Sequence, residues 1–272
     1  MPTSYLITGP ARGLGYALAK ALAAKPENIV LALVRNKTAA EHRLAADNIT
    51  NVHVLVADVT DDNALKGAAA EASDILGSQG LDVLIHNAAY VSEQTALTSI
   101  NDHETEPTTL IEDTQQSIEV NVFGTLKATL AFLDLVRRSQ IKKVVAISSG
   151  MGDIDMINEI RLSNAAPYAI SKGALNVLIA KLNAAYAGEG ILFMAICPGR
   201  LGADGHSSTV PEPILSRVKG IEAKFEAYVG VKVVPMRPEV AARSVLAAVD
   251  RQTLAGGFGG SFWSHNGTKR WS

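Results

Sequence analysis

Short apolar runs of strand length alternate along this chain with longer stretches in which apolar residues recur at helical spacing, and turn formers mark the switches. The runs lie at 5–8, 29–34, 52–56, 81–86, 143–147 and 191–196, with a further one at 261–263. Their near-continuous Val, Ile and Leu content suits strands covered on both faces, the pattern of a buried parallel sheet. Leu14, Leu18, Ala21 and Leu22 give the first helix an apolar stripe, and Pro26 stops it. Further helices are predicted at 38–46, 61–76, 113–138 and 167–187, and a last one begins near Arg237 with Pro238 in its first turn. Strand and helix in rotation predict an α/β fold around one parallel sheet. No internal repeat, low-complexity tract or linker divides the chain, so residues 1–272 are expected to form one domain.

Three segments break the rhythm, 91–112, 150–166 and 200–235. Insertions of that length in a compact domain are more often functional than idle. In the third, Ile214, Val218, Ile221 and Phe225 recur at helical spacing. That stripe fits either a helix docked on the core or a substrate lid, because periodicity reports a buried face and not what buries it.

Composition narrows the function classes. Twenty-five Lys and Arg against 27 Asp and Glu give a formal charge of −2, so no broad basic field exists to hold a nucleic acid, and none is expected as a partner. One cysteine, Cys197, excludes an intrachain disulfide and suits a reducing compartment, with the cytoplasm as the expected location. The start of the sequence lacks a signal-peptide pattern, and no apolar stretch reaches membrane-spanning length, so no membrane association is expected. The six histidines show no paired ligand spacing, and no metal is expected.

The strongest local signal is Thr8-Gly9-Pro10-Ala11-Arg12-Gly13-Leu14-Gly15, where the first strand passes into the first helix. Glycines there permit a tight turn and close approach to a pyrophosphate, and a helix N-terminus supplies N–H groups and a positive dipole end. The spacing, G-x-x-x-G-x-G, resembles that of the short-chain dehydrogenase/reductase family. Further motifs follow in that family's order over nearly the whole chain. Asp58-Val59 comes after the third strand, where the resemblance implies an adenine contact. His86-Asn87-Ala88-Ala89 follows the fourth, as a variant of Asn-Asn-Ala-Gly. Asn121 lies in the long helix, Ser148-Ser149 ends the fifth strand, Tyr168-Ala-Ile-Ser-Lys172 opens the next helix, and Pro198-Gly199 follows the sixth strand. The resemblance implies a doubly wound Rossmann fold of about seven parallel strands with helices on both faces and a cofactor over the strand ends. Within the family, the loop arginine, the end of the second strand and the stretch 262–271 look most like carbonyl reductases of the C-factor and sniffer type and norsolorinic acid ketoreductase.

Tyr168 and Lys172 are four positions apart, so a helix puts both on one face. A neighbouring ammonium favours a phenolate and is expected to draw the tyrosine pKa down from about 10. Tyr168 is then the expected general acid for carbonyl reduction, or, as the phenolate, the base for alcohol oxidation. The resemblance makes Ser149 the second donor to the substrate oxygen. It also gives Asn121 a relay water reaching Lys172, and gives Tyr168, Lys172, Asn87, Ala88, Pro198, Gly199 and the backbone of Leu201 contacts with the cofactor. Two departures stand out. Ser149 and Tyr168 are 19 positions apart, more than is typical, and the extra residues, with Ile154, Met156, Ile157, Ile160 and Leu162, suit either an apolar pocket or surface packing. After Pro198-Gly199 the chain reads Arg-Leu-Gly, which puts the family's threonine contact to the nicotinamide in doubt.

Cofactor choice follows from charge. A carboxylate at the end of the second strand serves NAD, and a cation serves the 2′-phosphate of NADP. Here the strand ends Leu33-Val34-Arg35-Asn36-Lys37, and Arg12 stands in the glycine loop, so NADP(H) is expected, with NAD(H) as the alternative. The expected activity is NADPH-dependent reduction of an apolar or aromatic carbonyl compound. The alternatives are an alcohol dehydrogenase working oxidatively and a non-catalytic NADP(H)-binding redox sensor. A homodimer or homotetramer through the helices near 121–138 and 168–187 is expected by resemblance, with a monomer as the alternative.

Overall fold

The structure, a computed structural model, describes residues 2–202, 212–232 and 234–271. Every apolar run is a strand: β1 (Ser4–Thr8), β2 (Ile29–Val34), β3 (Val52–Val56), β4 (Val83–His86), β5 (Lys143–Ile147), β6 (Leu192–Cys197) and β7 (Phe262–Ser264). They form one seven-stranded sheet in the order β3-β2-β1-β4-β5-β6-β7, every pair parallel. The chain leaves β1 in one direction and resumes beside it with β4 in the other. The carboxyl end of β1 therefore opens on the switch point where such sheets bind ligands.

Successive side chains of a strand point to opposite faces, and each face has its own core. Leu6, Leu31, Leu84, Val144 and Phe193 pack on one side with Leu65, Phe132 and Ile179 from α3 (Asp62–Leu76), α5 (Gly124–Arg138) and α7 (Ala166–Tyr186). Ile7, Val30, Ile85, Val145 and Ile196 pack on the other with Leu14 and Leu18 of α1 (Gly13–Ala23) and Val245 of α9 (Pro238–Arg251). A helix α2 (Lys37–Ala46), capped by the Asn36 side chain, covers the β2–β3 edge with Ala40 and Leu44.

The long helix expected at 113–138 is two helices. Residues Thr108–Ile118 form α4, Glu119–Phe123 widen into a π-helical turn, and Gly124 opens α5. The turn places Asn121, and Gly124 lets the helix close on Val59, whose Cγ2 would lie 2.7 Å from an added Cβ. Apolar spacing does not distinguish a continuous helix from one with an inserted wide turn, and such turns gather at functional sites.

The three interruptions have structure of their own. Residues 100–103 form a 3₁₀ turn ahead of α4. The second contains α6 (Ile154–Ile160), capped by Asp153, and the third contains α8 (Glu212–Val229). Ile221, Phe225 and Tyr228 of α8 pack on Met156, Leu162, Cys197 and Trp271. Met156 and Leu162 are thus buried in packing, and Ile154 is exposed. Of the stripe read from the sequence, the Ile214 side chain lies outside the described residues, as do positions 203–211.

Candidate active site

The glycine turn is built for close approach. Gly9 has φ +67 and its N–H is held by Leu33 O at 2.9 Å. A Cβ at Gly9 would come within 2.9 Å of Ala88 Cα, and one at Gly15 would collide with the Asn87 amide and lie 2.7 Å from Gly9 O. Gly13, with φ +56, begins α1. Asn87 braces the turn: its Nδ2 donates to Thr8 O at 3.1 Å and Gly9 O at 3.2 Å, and the N–H groups of Asn87 and Ala88 donate to Thr8 Oγ1. Leu14 is buried on the core, so its place in the cradle is through its backbone.

Arg12 is the exposed N-cap residue of α1, whose first turn holds no acidic residue. Arg35 follows β2 with its side chain 82% exposed, 3.7 Å from Asp58 Oδ2. Burial pushes the Asp58 carboxyl up, but hydrogen bonds from Thr60 and the Arg35 charge outweigh it, so the carboxyl lies below its ordinary value. Val59 beside it packs on the core edge. A turn without side chains at its closest points, a helix N-terminus without acids and two flanking arginines fit an anionic dinucleotide. Gly9, Arg12, Gly13, Leu14, Gly15, Arg35, Asp58, Val59, Asn87 and Ala88 would hold it.

The residues expected at the reacting end gather at the carboxyl ends of β5 and β6. Ser148 is buried and donates to Asn176 Oδ1 on α7 at 2.7 Å, whereas the Ser149 hydroxyl stands near enough to the Tyr168 phenol to draw its pKa down. Lys172, 2% exposed, donates to Ile147 O at 2.8 Å and stands 5.5 Å from the centre of the Tyr168 ring. Asn121 Oδ1 accepts from Tyr90 N at 2.7 Å, and its Nδ2 donates to Tyr90 O and to Ser171 Oγ. Both amide hydrogens are therefore taken. A relay water on Asn121 would have to donate to an oxygen that already accepts one hydrogen bond, Oδ1 from Tyr90 N or the main-chain carbonyl from Thr125. Gly199 has φ +82 and turns the chain after Pro198. Leu201 then pairs with Met236 through the Arg200 carbonyl and the Gly202 N–H, so its own N–H and C=O face the opposite side.

Family membership is decided by sequence: residues 4–212 match the model of the short chain dehydrogenase family. The chain belongs to that family. Short-chain dehydrogenase/reductase AacuF of Aspergillus aculeatus is 44% identical over 98% of this chain and 99% of its own length. Short chain dehydrogenase virK of Hypocrea virens is 38% identical over the same shares. Among solved structures, the carbonyl reductase Sniffer of D. melanogaster superimposes with a TM-score of 0.77, at 20% identity over 98% of each chain. An NADPH-bound carbonyl reductase from chicken fatty liver does so with 0.76, at 24% identity over 98% of each. This short-chain dehydrogenase is an oxidoreductase of the carbonyl/alcohol class.

One expectation is reversed in it. Burial, with the neighbouring Cys197 second, pushes the Tyr168 phenol up to about 12 although Ser149 draws it down. Lys172 is itself pushed down to about 8 by burial. Desolvation disfavours both charged forms and is the first cause of both shifts. His86, the departure from Asn-Asn-Ala-Gly, is pushed down to about 3 by burial and hydrogen-bonds Thr129 at 2.8 Å, so it is a neutral packing residue.

Sequence reading missed four braces of this short-chain dehydrogenase. Arg43 donates to Ala11 O at 3.1 Å and lies 4.0 Å over the Tyr16 ring, which ties α2 to the glycine loop. Asp113, buried, accepts from Tyr90 and Thr95 hydroxyls and so fixes the residue that clamps Asn121. Cys197 and Trp271 are the others. No local spacing marks any of them, because each acts on a residue distant in sequence. Among the described residues, no helix is long and apolar enough to cross a membrane, and no group of metal-ligating side chains converges.

Proposed function

We propose that the protein reduces the carbonyl group of an apolar or aromatic ketone to the alcohol with NADPH, Tyr168 acting as general acid. The observation that carries this reading is Lys172, buried with its Nζ 5.5 Å from the centre of the Tyr168 ring, and the Ser149 hydroxyl near enough to the phenol to draw it down. When bound, NADPH supplies the hydride. Ser149 and Tyr168 direct two hydroxyl donors at one substrate oxygen, which fixes the carbonyl and stabilises the negative charge that develops on it. The Tyr168 phenol then gives up its proton to that oxygen, and Lys172 offsets the phenolate left behind. With a pKa near 12 the phenol is protonated at neutral pH, which favours reduction. Alcohol oxidation is the second reading, and it needs the phenolate, so its rate would rise with pH through the alkaline range. A redox sensor would need the cradle but not the buried tyrosine and lysine.

Arg12 and Arg35, with no acidic residue in the first turn of α1, support NADPH over NADH, and the NADPH-bound carbonyl reductase of the same fold agrees with that choice. NADPH and NADH consumption with a panel of quinones and aromatic ketones tests the reading. Turnover preferring NADPH is expected, and preference for NADH would overturn the cofactor assignment. Arg12→Ala with Arg35→Ala should raise the KM for NADPH by roughly ten- to hundredfold, one to three kcal/mol for charge-assisted hydrogen bonds, and leave NADH nearly unchanged. Binding of NADPH without turnover of any carbonyl would favour the sensor.

The same reading includes a homodimer or homotetramer. Phe123 and Leu130 near and on α5, and Ile170 and Val177 on α7, stand exposed, each pair one heptad apart and so on one face. Sedimentation should give twice or four times the chain mass, and charged substitutions at Leu130 and Val177 should return it to the monomer.

A further inference from the structure

The stretch after β7 that the function leaves unused closes on the serine turn. Trp271 is 4% exposed, and its ring stacks on Phe262 of β7 with centroids 4.1 Å apart and planes 11° from parallel. It lies so close to Gly150 that a Cβ there would overlap Trp271 Cβ and come within 2.6 Å of Cγ. The Gly150 N–H donates to the buried Cys197 Sγ at 3.3 Å. Gly150 directly follows Ser149 and begins the short turn in which Ser149 Oγ accepts from Met151 N. At the far end of that turn, a Cβ on Gly152 would meet Gly173 N of α7 at 2.6 Å. Indole, thiol and α7 backbone therefore hold residues 149–152 on separate contacts. Arg270, beside the indole, pairs with Glu159 of α6 at 3.3 Å and lies 4.8 Å over the Tyr228 ring of α8.

We propose that Trp271 is a positioning residue for carbonyl reduction: with the Cys197 thiol it fixes the turn 149–152, and so aims the Ser149 hydroxyl. The proposal rests on the carbonyl reductase reading above. The physical reason lies in the turn itself. Two of its four residues are glycines, which have the most backbone freedom to lose. An error of about 1 Å in a reacting group costs on the order of a hundredfold in rate. A rigid aromatic wall packed without a gap limits that error at small entropic cost. Burial also keeps the Cys197 thiol protonated, so its sulfur accepts the Gly150 N–H without adding charge beside Tyr168. Arg270 extends the same contact to α6 and α8, which joins the two inserted segments to the turn.

The test compares W271G, W271F, C197A, G150A and the double variant G150A/W271G. The readouts are phenanthrenequinone reduction by NADPH, NADPH affinity, and amide hydrogen exchange over 149–152. W271G should lower kcat by roughly ten- to hundredfold with NADPH affinity within about twofold of the parent, and should raise exchange at 149–152 above the rest of the chain. W271F should keep most of the parent kcat. G150A should lose about as much as W271G, and the double variant little more than either, because removing the indole makes room for the added methyl. Unchanged kcat and exchange in W271G, or a rise in exchange spread evenly over the chain, would overturn the proposal. If W271G does not fold, W271L and C197A carry the same comparison. Failure of the parent protein to reduce any carbonyl would sink the activity reading alone, since exchange at 149–152 still reports whether Trp271 holds the turn.

Discussion

Tyr168→Phe is expected to lower kcat/KM for carbonyl reduction by roughly a thousandfold, within the range that a positioned general acid supplies. The substitution removes one oxygen and leaves the ring that packs beside Lys172, so the fold should stand. Loss of a single hydrogen bond to the cofactor would weaken NADPH binding by no more than about tenfold. The expected signature is therefore a collapse of kcat with NADPH affinity largely retained, measured by steady-state kinetics beside fluorescence titration. Full activity in this variant would remove Tyr168 from the reaction.

Lys172→Met should abolish most activity and also change how stability depends on pH. Burial depresses the lysine from 10.5 in the unfolded chain to about 8 in the folded one. Between those values the unfolded state binds more protons, so stability rises with pH there, and below about 8 the full cost of burying the ammonium is present. At 1.36 kcal/mol per pKa unit that cost is about 3 kcal/mol. Denaturant unfolding of the parent and Lys172→Met from pH 7 to 10.5 should show the parent gaining about 3 kcal/mol relative to the variant. A constant difference would mean that Lys172 titrates normally. A buried cation retained at this cost is what a site selected for chemistry rather than stability would show.

The strands and the glycine turn were readable because their signals are local. Val/Ile/Leu runs report strands, buried on both faces except at the edges, where β3 exposes His53 and Val56 and β7 is half-buried, and Gly9, Gly13 and Gly15 report backbone that must turn or approach closely. Even the Tyr168–Lys172 pair needed only the pitch of a helix. The wide turn at Glu119–Phe123 was not readable, because an inserted residue leaves the apolar spacing on either side intact. The direction of the Tyr168 shift was misread for a different reason. Charge attraction is visible in a four-residue spacing, but burial is a sum over β5, β6 and α7 together, and it is the first cause of the shift here.

The succession of strands and helices, the place of the glycine turn and the residue types around Tyr168 are encoded within a few consecutive positions, so the chain alone discloses them. The assembled fold alone set the Ser148 hydroxyl on Asn176 of α7, clamped Asn121 on Tyr90, and placed Trp271 behind Gly150. Those outcomes depend on sheet order, which brings β5, β6 and β7 side by side and closes Trp271 on a turn far earlier in the chain. No periodicity along the chain records which strands will be neighbours, so contacts across them appear only when the sheet is assembled.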